Sequence, residues 1–281
     1  MMINPILNRE VITLFRRPRT YCWITIYIGI LIFVVVSSWP GHYSSSYGVI
    51  DLIRTSRYTA IGILCVMMTL IFILLPSYMA TTFTREKEEN TLSALTVTQL
   101  SILDIIWGKI QVGIFYTIYL IVITIPLFGA LYKLGGFALS EIIQGYIIIL
   151  SISIAVSLWA MFFSVISSTS YKAISRSYFF FFLLLFILGF ASTYLHRIGL
   201  GYILSSSYIN PFMSIEAIFL GTSGGRLASF NLNLSKYSSK NLIFGFFYEE
   251  TLKITAFYGV ISLIFILLII SAYRRLQHKW L

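Results

Sequence analysis

The chain has 281 residues, of which 58% are hydrophobic, 17% aromatic and only 11% charged, with a formal net charge of +10 and a mean hydropathy of +0.88. Soluble domains carry roughly 25% charged residues, so this composition defines an integral membrane protein. Nucleic-acid binding needs a basic face on a water-soluble module, and the sequence offers none, so the positive charge has to be explained by the membrane.

The first residues, MMINPILNREVITLFRRPRT, lack the short apolar core and small-residue cleavage site of a removable signal peptide. Ile6, Leu7, Val11, Leu14 and Phe15 recur at three- and four-residue steps, opposite Asn8, Arg9, Glu10 and Arg16. That pattern suits a helix over 1–20 lying in the membrane interface; an ordinary juxtamembrane helix with basic anchors has the same pattern. Six apolar runs follow that suit a crossing of about 30 Å of hydrocarbon: Tyr21–Ser38, Tyr58–Ala80, Ile110–Leu134, Ile142–Ser167, Tyr178–Leu195 and Ile254–Tyr273. They are apolar on every side, whereas the strands of a membrane barrel alternate over about ten residues. The expected fold is all-α, a single transmembrane domain over 1–281 with six crossing helices.

Between the second and third runs the sequence reads TREKEENTLSALTVTQLSILDIIWGK. Arg85, Glu86, Lys87, Glu88 and Glu89 are consecutive and of mixed sign, costly to bury, so the chain is expected to leave the membrane past Phe83 and project into water. Asn90 or Thr91 can cap a short helix that carries Leu92 and Leu95 on one face. Ser101 and Asp104 then form an S-x-x-D pair ahead of the third crossing. A short amphipathic helix hung between two long ones can pass force from a cytoplasmic partner; a solvated loop whose charges only fix topology fits the same residues. Further on, in SSTSYKAISRSY, Lys172 and Arg176 stand four apart on one helical face, as a second such element or as simple basic anchors.

In the fourth run, Ser153 with Ser157 and Ala160 with Ser164 place small groups four apart, allowing close helix approach. The fifth carries YFFFFLLLF, a bulky surface for lipid, a partner or an apolar path. In the loop 196–253, the apolar piece Tyr208–Leu220 is too short to cross. Pro211 is expected to break a helix there and Glu216 to face water or a basic partner. Glu249 and Glu250 precede the last run, where they either guard an exit or complement the positive end of that helix. With the N-terminus inside, Arg9, Arg16, Arg17, Arg19, Arg85, Lys87, Lys109, Lys172, Arg176, Arg274, Arg275 and Lys279 are all cytoplasmic, as are both termini, and most outer basic residues fall in the long loop, which counts for little.

Reaction chemistry is sparse. His42, His196 and His278 lie at or beyond helix ends, and no charged residue sits near the centre of a predicted crossing, where proton relays and ion-coupled carriers place them. The GTSGGR stretch lacks the Lys-Ser/Thr pair of a phosphate loop. Cys22 and Cys65 fall within crossings and suggest no disulfide framework. Any ATP-driven work therefore falls to another polypeptide.

The run REKEENTLSALTVTQLS followed by IIWGK resembles the first coupling region of type-two permeases of ABC exporters (the ABC-2 type). Glu86, Lys87, Glu88, Thr91, Leu92, Leu95, Thr98, Leu100, Ser101, Gly108 and Lys109 match that pattern, while Asn90, Ser93 and Gln99 depart from it. NPILNREVITLFRRPR resembles the interfacial connecting helix of the family, and INPFMSIEAIFLG its last outer segment. The resemblance implies a permease subunit, not itself an enzyme, that pairs with a second permease chain, identical or related, and with two cytoplasmic ATPase subunits. ATP and Mg would be bound by those subunits, with no cofactor or metal in this chain. It implies a first coupling region over 84–101 (Arg85, Glu86, Lys87, Glu88, Thr91, Leu92, Leu95), with its helix at Glu86–Leu95, and a second over 168–177 (Lys172, Arg176). An outer gating segment would lie within 196–253, with Pro211, Glu216, Glu249 and Glu250. The expected setting is a bacterial-type cytoplasmic membrane among its lipids, and the uncharged crossings suit an apolar or amphipathic cargo. A non-transporting scaffold that holds a cytoplasmic partner uses the same features.

Overall fold

The computed structural model describes residues 16, 18–38, 49–89, 102–133, 135, 137–197, 210–220 and 240–280. Among them there is no strand. The elements are α1 (Pro18–Ser38), α2 (Val49–Met79), α3 (Thr82–Glu88), α4 (Ile102–Tyr132), α5 (Leu139–Ile166), α6 (Ser170–Arg197), α7 (Pro211–Leu220) and α8 (Lys240–Trp280). The six long helices are the six expected crossings. Five helical stretches are long and apolar enough to cross a membrane, and α1 adds a shorter apolar run at Ile24–Ser38. The expected interfacial helix over 1–20 lies almost wholly outside the described residues.

Helix α5 is the centre of the bundle, in contact with α2, α3, α4, α6, α7 and α8. Its side chains explain this. Ser153, Ser157, Ala160 and Ser164 are all buried, and small residues let neighbouring backbones come close where no hydrophobic effect drives helices together. Gly113 of α4 is one such approach: a Cβ there would meet Ser157 Oγ at 2.7 Å and Met79 Cε at 2.6 Å. The rim is covered more thinly. Helix α1 buries Ile24, Tyr27 and Leu31, while Ile26, Phe33 and Val36 on its other sides are exposed. The bulky run on α6 points largely outward, with Phe179, Phe182, Phe186 and Phe190 each 63–64% exposed, as lipid or partner contact requires.

Several expected boundaries move. Helix α2 begins at Val49, nine residues before the expected Tyr58, and passes through Pro76 to end at Met79, next to the expected Ala80. Helix α8 begins at Lys240, so Glu249 and Glu250 lie in its third turn rather than ahead of it; the helix dipole acts within the first turn, and they cannot complement its N-terminus. Pro211 opens a helix instead of breaking one. Proline is suited to the first helical position, whose N–H has no intrahelical partner, and Asn210 before it supplies the cap, its Oδ1 accepting from the Phe212 N–H at 3.0 Å. The short α7 then buries Ile215, Ile218 and Phe219 against α2, α5 and α8, leaving Glu216 exposed.

Candidate functional site

The charged segment is positioned by the end of α2. Three residues past Pro76 the helix gives way to a turn at Ala80 and Thr81, where the Thr81 N–H donates to the Tyr78 carbonyl at 3.1 Å. Helix α3 starts there with an unusual cap. The Thr81 hydroxyl is turned back to Tyr78 O at 2.8 Å and offers α3 nothing. The N–H groups of Phe83 and Thr84, the second and third residues of the helix, donate to Ser164 Oγ of α5 at 2.9 and 3.2 Å. Those donors are normally received by the side chain that precedes the helix; here another helix provides it.

The charged side chains complete the arrangement. Lys87 Nζ donates to the carbonyls of Ser164 at 3.4 Å, Val165 and Ser167 at 3.0 Å. These belong to the last turn of α5 and the residue after it, where carbonyls lack helical partners and the helix end is negative. Glu88 does the converse. Its carboxylate accepts from the Ser170 N–H at 2.7 Å and the Ser170 hydroxyl at 2.8 Å, at the positive start of α6. Glu86 Oε1 receives Lys109 Nζ of α4 at 2.7 Å, and Lys109 also donates to Thr82 O at 3.1 Å. The same ammonium lies 4.7 Å from the centre of the Phe83 ring, which meets Tyr273 of α8 edge-on at 6.1 Å.

Helix α3 thus joins α4, α5, α6 and α8 at one end of the bundle. This corrects the expectation that the charged run simply projects into water. Phe83 is buried, Glu86 and Lys87 are half-buried, and only Arg85, Glu88 and Glu89 are exposed. The cost of burying charge is offset because each inward-turned group finds an opposite charge or a helix end. Helix α3 spans Thr82–Glu88, and so holds Glu86, Lys87 and Glu88 of the expected coupling helix Glu86–Leu95. Thr91, Leu92 and Leu95 lie outside the described residues. The second element is not a separate helix: residues 170–177 are the opening turns of α6, because Glu88 and the hydroxyl of Thr84, 3.1 Å from Ser170 Oγ, supply a start there. Lys172 and Arg176 are both exposed on it. The structure brings the two regions together at Glu88 and Ser170.

A second polar group ties the opposite end of the bundle. Arg57 of α2 pairs with Glu141 of α5 at 3.2 Å, and Glu141 also accepts from the Ala138 N–H at 3.0 Å. Gln144 accepts from the Thr251 hydroxyl of α8 at 3.1 Å. Sequence reasoning missed these residues along with Lys109 and Ser164 as partners of the charged run. The available signal was Glu141 itself, an acid in the first turn of an apolar helix. Pro211 and Glu216 lie on α7; the side chains of Glu249 and Glu250 are outside the described set.

The family described as ABC-2 type transporter matches residues 3–222, more than half of the chain, and the chain belongs to that family. It is a multi-pass membrane protein and the permease component of an ABC transporter, a class that works with ATPase subunits. The match takes in both sequence regions that meet at α3 and stops short of α8. The search of curated proteins returned no match.

Proposed function

We propose that this chain is the permease of an ATP-driven exporter, and that α3 with the start of α6 forms one surface on which a cytoplasmic ATPase acts. The observation that carries this reading is the Glu88–Ser170 contact, which merges two segments 82 residues apart into one charged patch. Arg85, Glu88, Glu89, Lys172 and Arg176 are its exposed charges, and Glu88 is held by Ser170. The charged end faces the cytoplasm, both termini lie on that side, and the membrane is a cytoplasmic one. Two permease chains, identical or paired with a relative, form the path. ATP and Mg sit on the ATPases. The cargo is apolar or amphipathic, since the described crossings present mainly aliphatic and aromatic side chains, with several hydroxyls bonded back to their own helices, as at Ser157 to Ser153 O at 2.7 Å.

The test uses the exposed charges. Reversal at Glu86 would read packing against Lys109 instead of docking. The tagged chain is extracted gently from native membranes beside an Arg85→Glu, Lys172→Glu variant, and copurifying proteins are identified by mass spectrometry. A stoichiometric phosphate-loop ATPase with the wild type, depleted about tenfold or more in the variant, supports the reading. A wild-type chain that brings down another cytoplasmic protein and no ATPase makes it a scaffold.

A further inference from the structure

Between α5 and α6 the helix is interrupted for three residues, Ser167 to Thr169. A helix C-terminus and a helix N-terminus face this break, the one negative and the other positive. Across it lie consecutive residues of α3: Lys87 holds the carbonyls on the α5 side, and Glu88 holds the N–H and hydroxyl of Ser170 on the α6 side. Ser164 returns the contact by capping α3. A seven-residue helix cannot persist alone in water, so α3 and the joint depend on each other for their missing hydrogen bonds.

We infer that Lys87 and Glu88 are positioning residues that brace the α5–α6 joint, so that α3 and the joint move as one body and a push on α3 reaches the fourth and fifth crossings together. The α2–α3 turn at Ala80 and Thr81 is then the pivot. This rests on the coupling reading above and adds where the force goes. The order of the two charges is required: lysine must meet the carbonyl end and glutamate the N–H end. Exchanging them, Lys87→Glu with Glu88→Lys, leaves the net charge and the basic count of the segment unchanged while setting each group against a helix end of its own sign.

The test is amide hydrogen exchange followed by mass spectrometry, on the permease alone and on the complex with its own copurified ATPase, with and without ATP and vanadate. In the wild-type complex, nucleotide is expected to change exchange in 82–88 and in 167–174 by the same factor. In the exchanged-charge variant, 167–174 is expected to exchange roughly tenfold faster, nucleotide still alters 82–88, and 167–174 no longer responds. Peptides around Gln144 and Thr251, at the opposite end, should be unchanged. Should the variant loosen those as well, Lys87→Met and Glu88→Gln singly give the same readout with less repulsion. Unaltered exchange in 167–174 of the variants overturns the brace while the coupling reading stands. A wild-type complex in which nucleotide moves 82–88 and leaves 167–174 untouched also overturns it. If nucleotide moves neither segment, the coupling reading falls and takes the transmission role with it.

Discussion

Single residues decide whether charge at the bundle end stabilises or harms. Lys109 is 3% exposed and satisfied by Glu86, Thr82 O and the Phe83 ring. Lys109→Met leaves Glu86 without its ion-pair partner, and a loss of about 3 kcal/mol is expected. Adding Glu86→Gln should recover most of it, both read from thermal unfolding in detergent. The glycines separate in the same way. At Gly113 the new methyl of an alanine would press on Ser157 Oγ at 2.7 Å, and that hydroxyl is held by Ser153 O, so about 1–3 kcal/mol is lost. Gly129 and Gly259 have nothing within 4 Å of a Cβ; alanine there should gain up to about 1 kcal/mol through helix propensity. Unchanged melting of Gly113→Ala would contradict the close approach of α4 to α5. The close approach at Ser157 was legible in the small residues of the fourth run, but the helix that makes it, and the partners of Lys109, were not. The sequence marks Lys109 as a basic residue at a membrane edge, but its partner lies 23 residues back, beyond the reach of any single helical period.

Elements were easier to read where their signals are continuous. Twenty apolar residues in a row can satisfy their backbone in lipid only as a helix, so the six crossings were plain. The ends were less plain, because a helix can run on past its apolar stretch: α4 starts at Ile102, eight residues before the apolar run at Ile110, and the sequence signal for that start is the S-x-x-D pair at Ser101 and Asp104. Pro211 shows the same limit from the other side. Proline forbids the interior of a helix and favours its first turn, and which rule applies depends on whether the preceding residue caps, as Asn210 does. Asn210→Ala should cost about 1 kcal/mol and raise amide exchange at the start of α7, with Asn210→Asp close to wild type. An equal effect of both substitutions would mean that the side-chain oxygen of Asn210 is not the cap. The start of α3 at Thr82 was not legible because its cap, Ser164, comes from another helix, and no local window contains both.

At the scale of the whole molecule, α5 organises the bundle and the two ends are tied differently, Arg57 with Glu141 at one and the α3 group at the other. The proposed orientation follows from the charges and can be checked on single-cysteine variants lacking Cys22 and Cys65. A membrane-impermeant maleimide applied from outside should label Ala138→Cys in intact cells and reach Lys172→Cys only after permeabilisation; the reverse pattern would invert the topology. Ser164 also sets an order of events during synthesis. It follows Phe83 by 81 residues, which at roughly 5–20 residues per second is about 4–16 seconds of translation. Through that interval Ser164 is not there to cap α3, and on the proposed orientation Arg85 and Lys87 stay on the ribosome's side, available to the insertion machinery as a signal for which side to stay on. When the fourth crossing arrives, Lys87 is taken up as its terminal cap. On the proposed orientation one lysine serves first as an address label and later as a fastener, two tasks that a substitution need not affect alike.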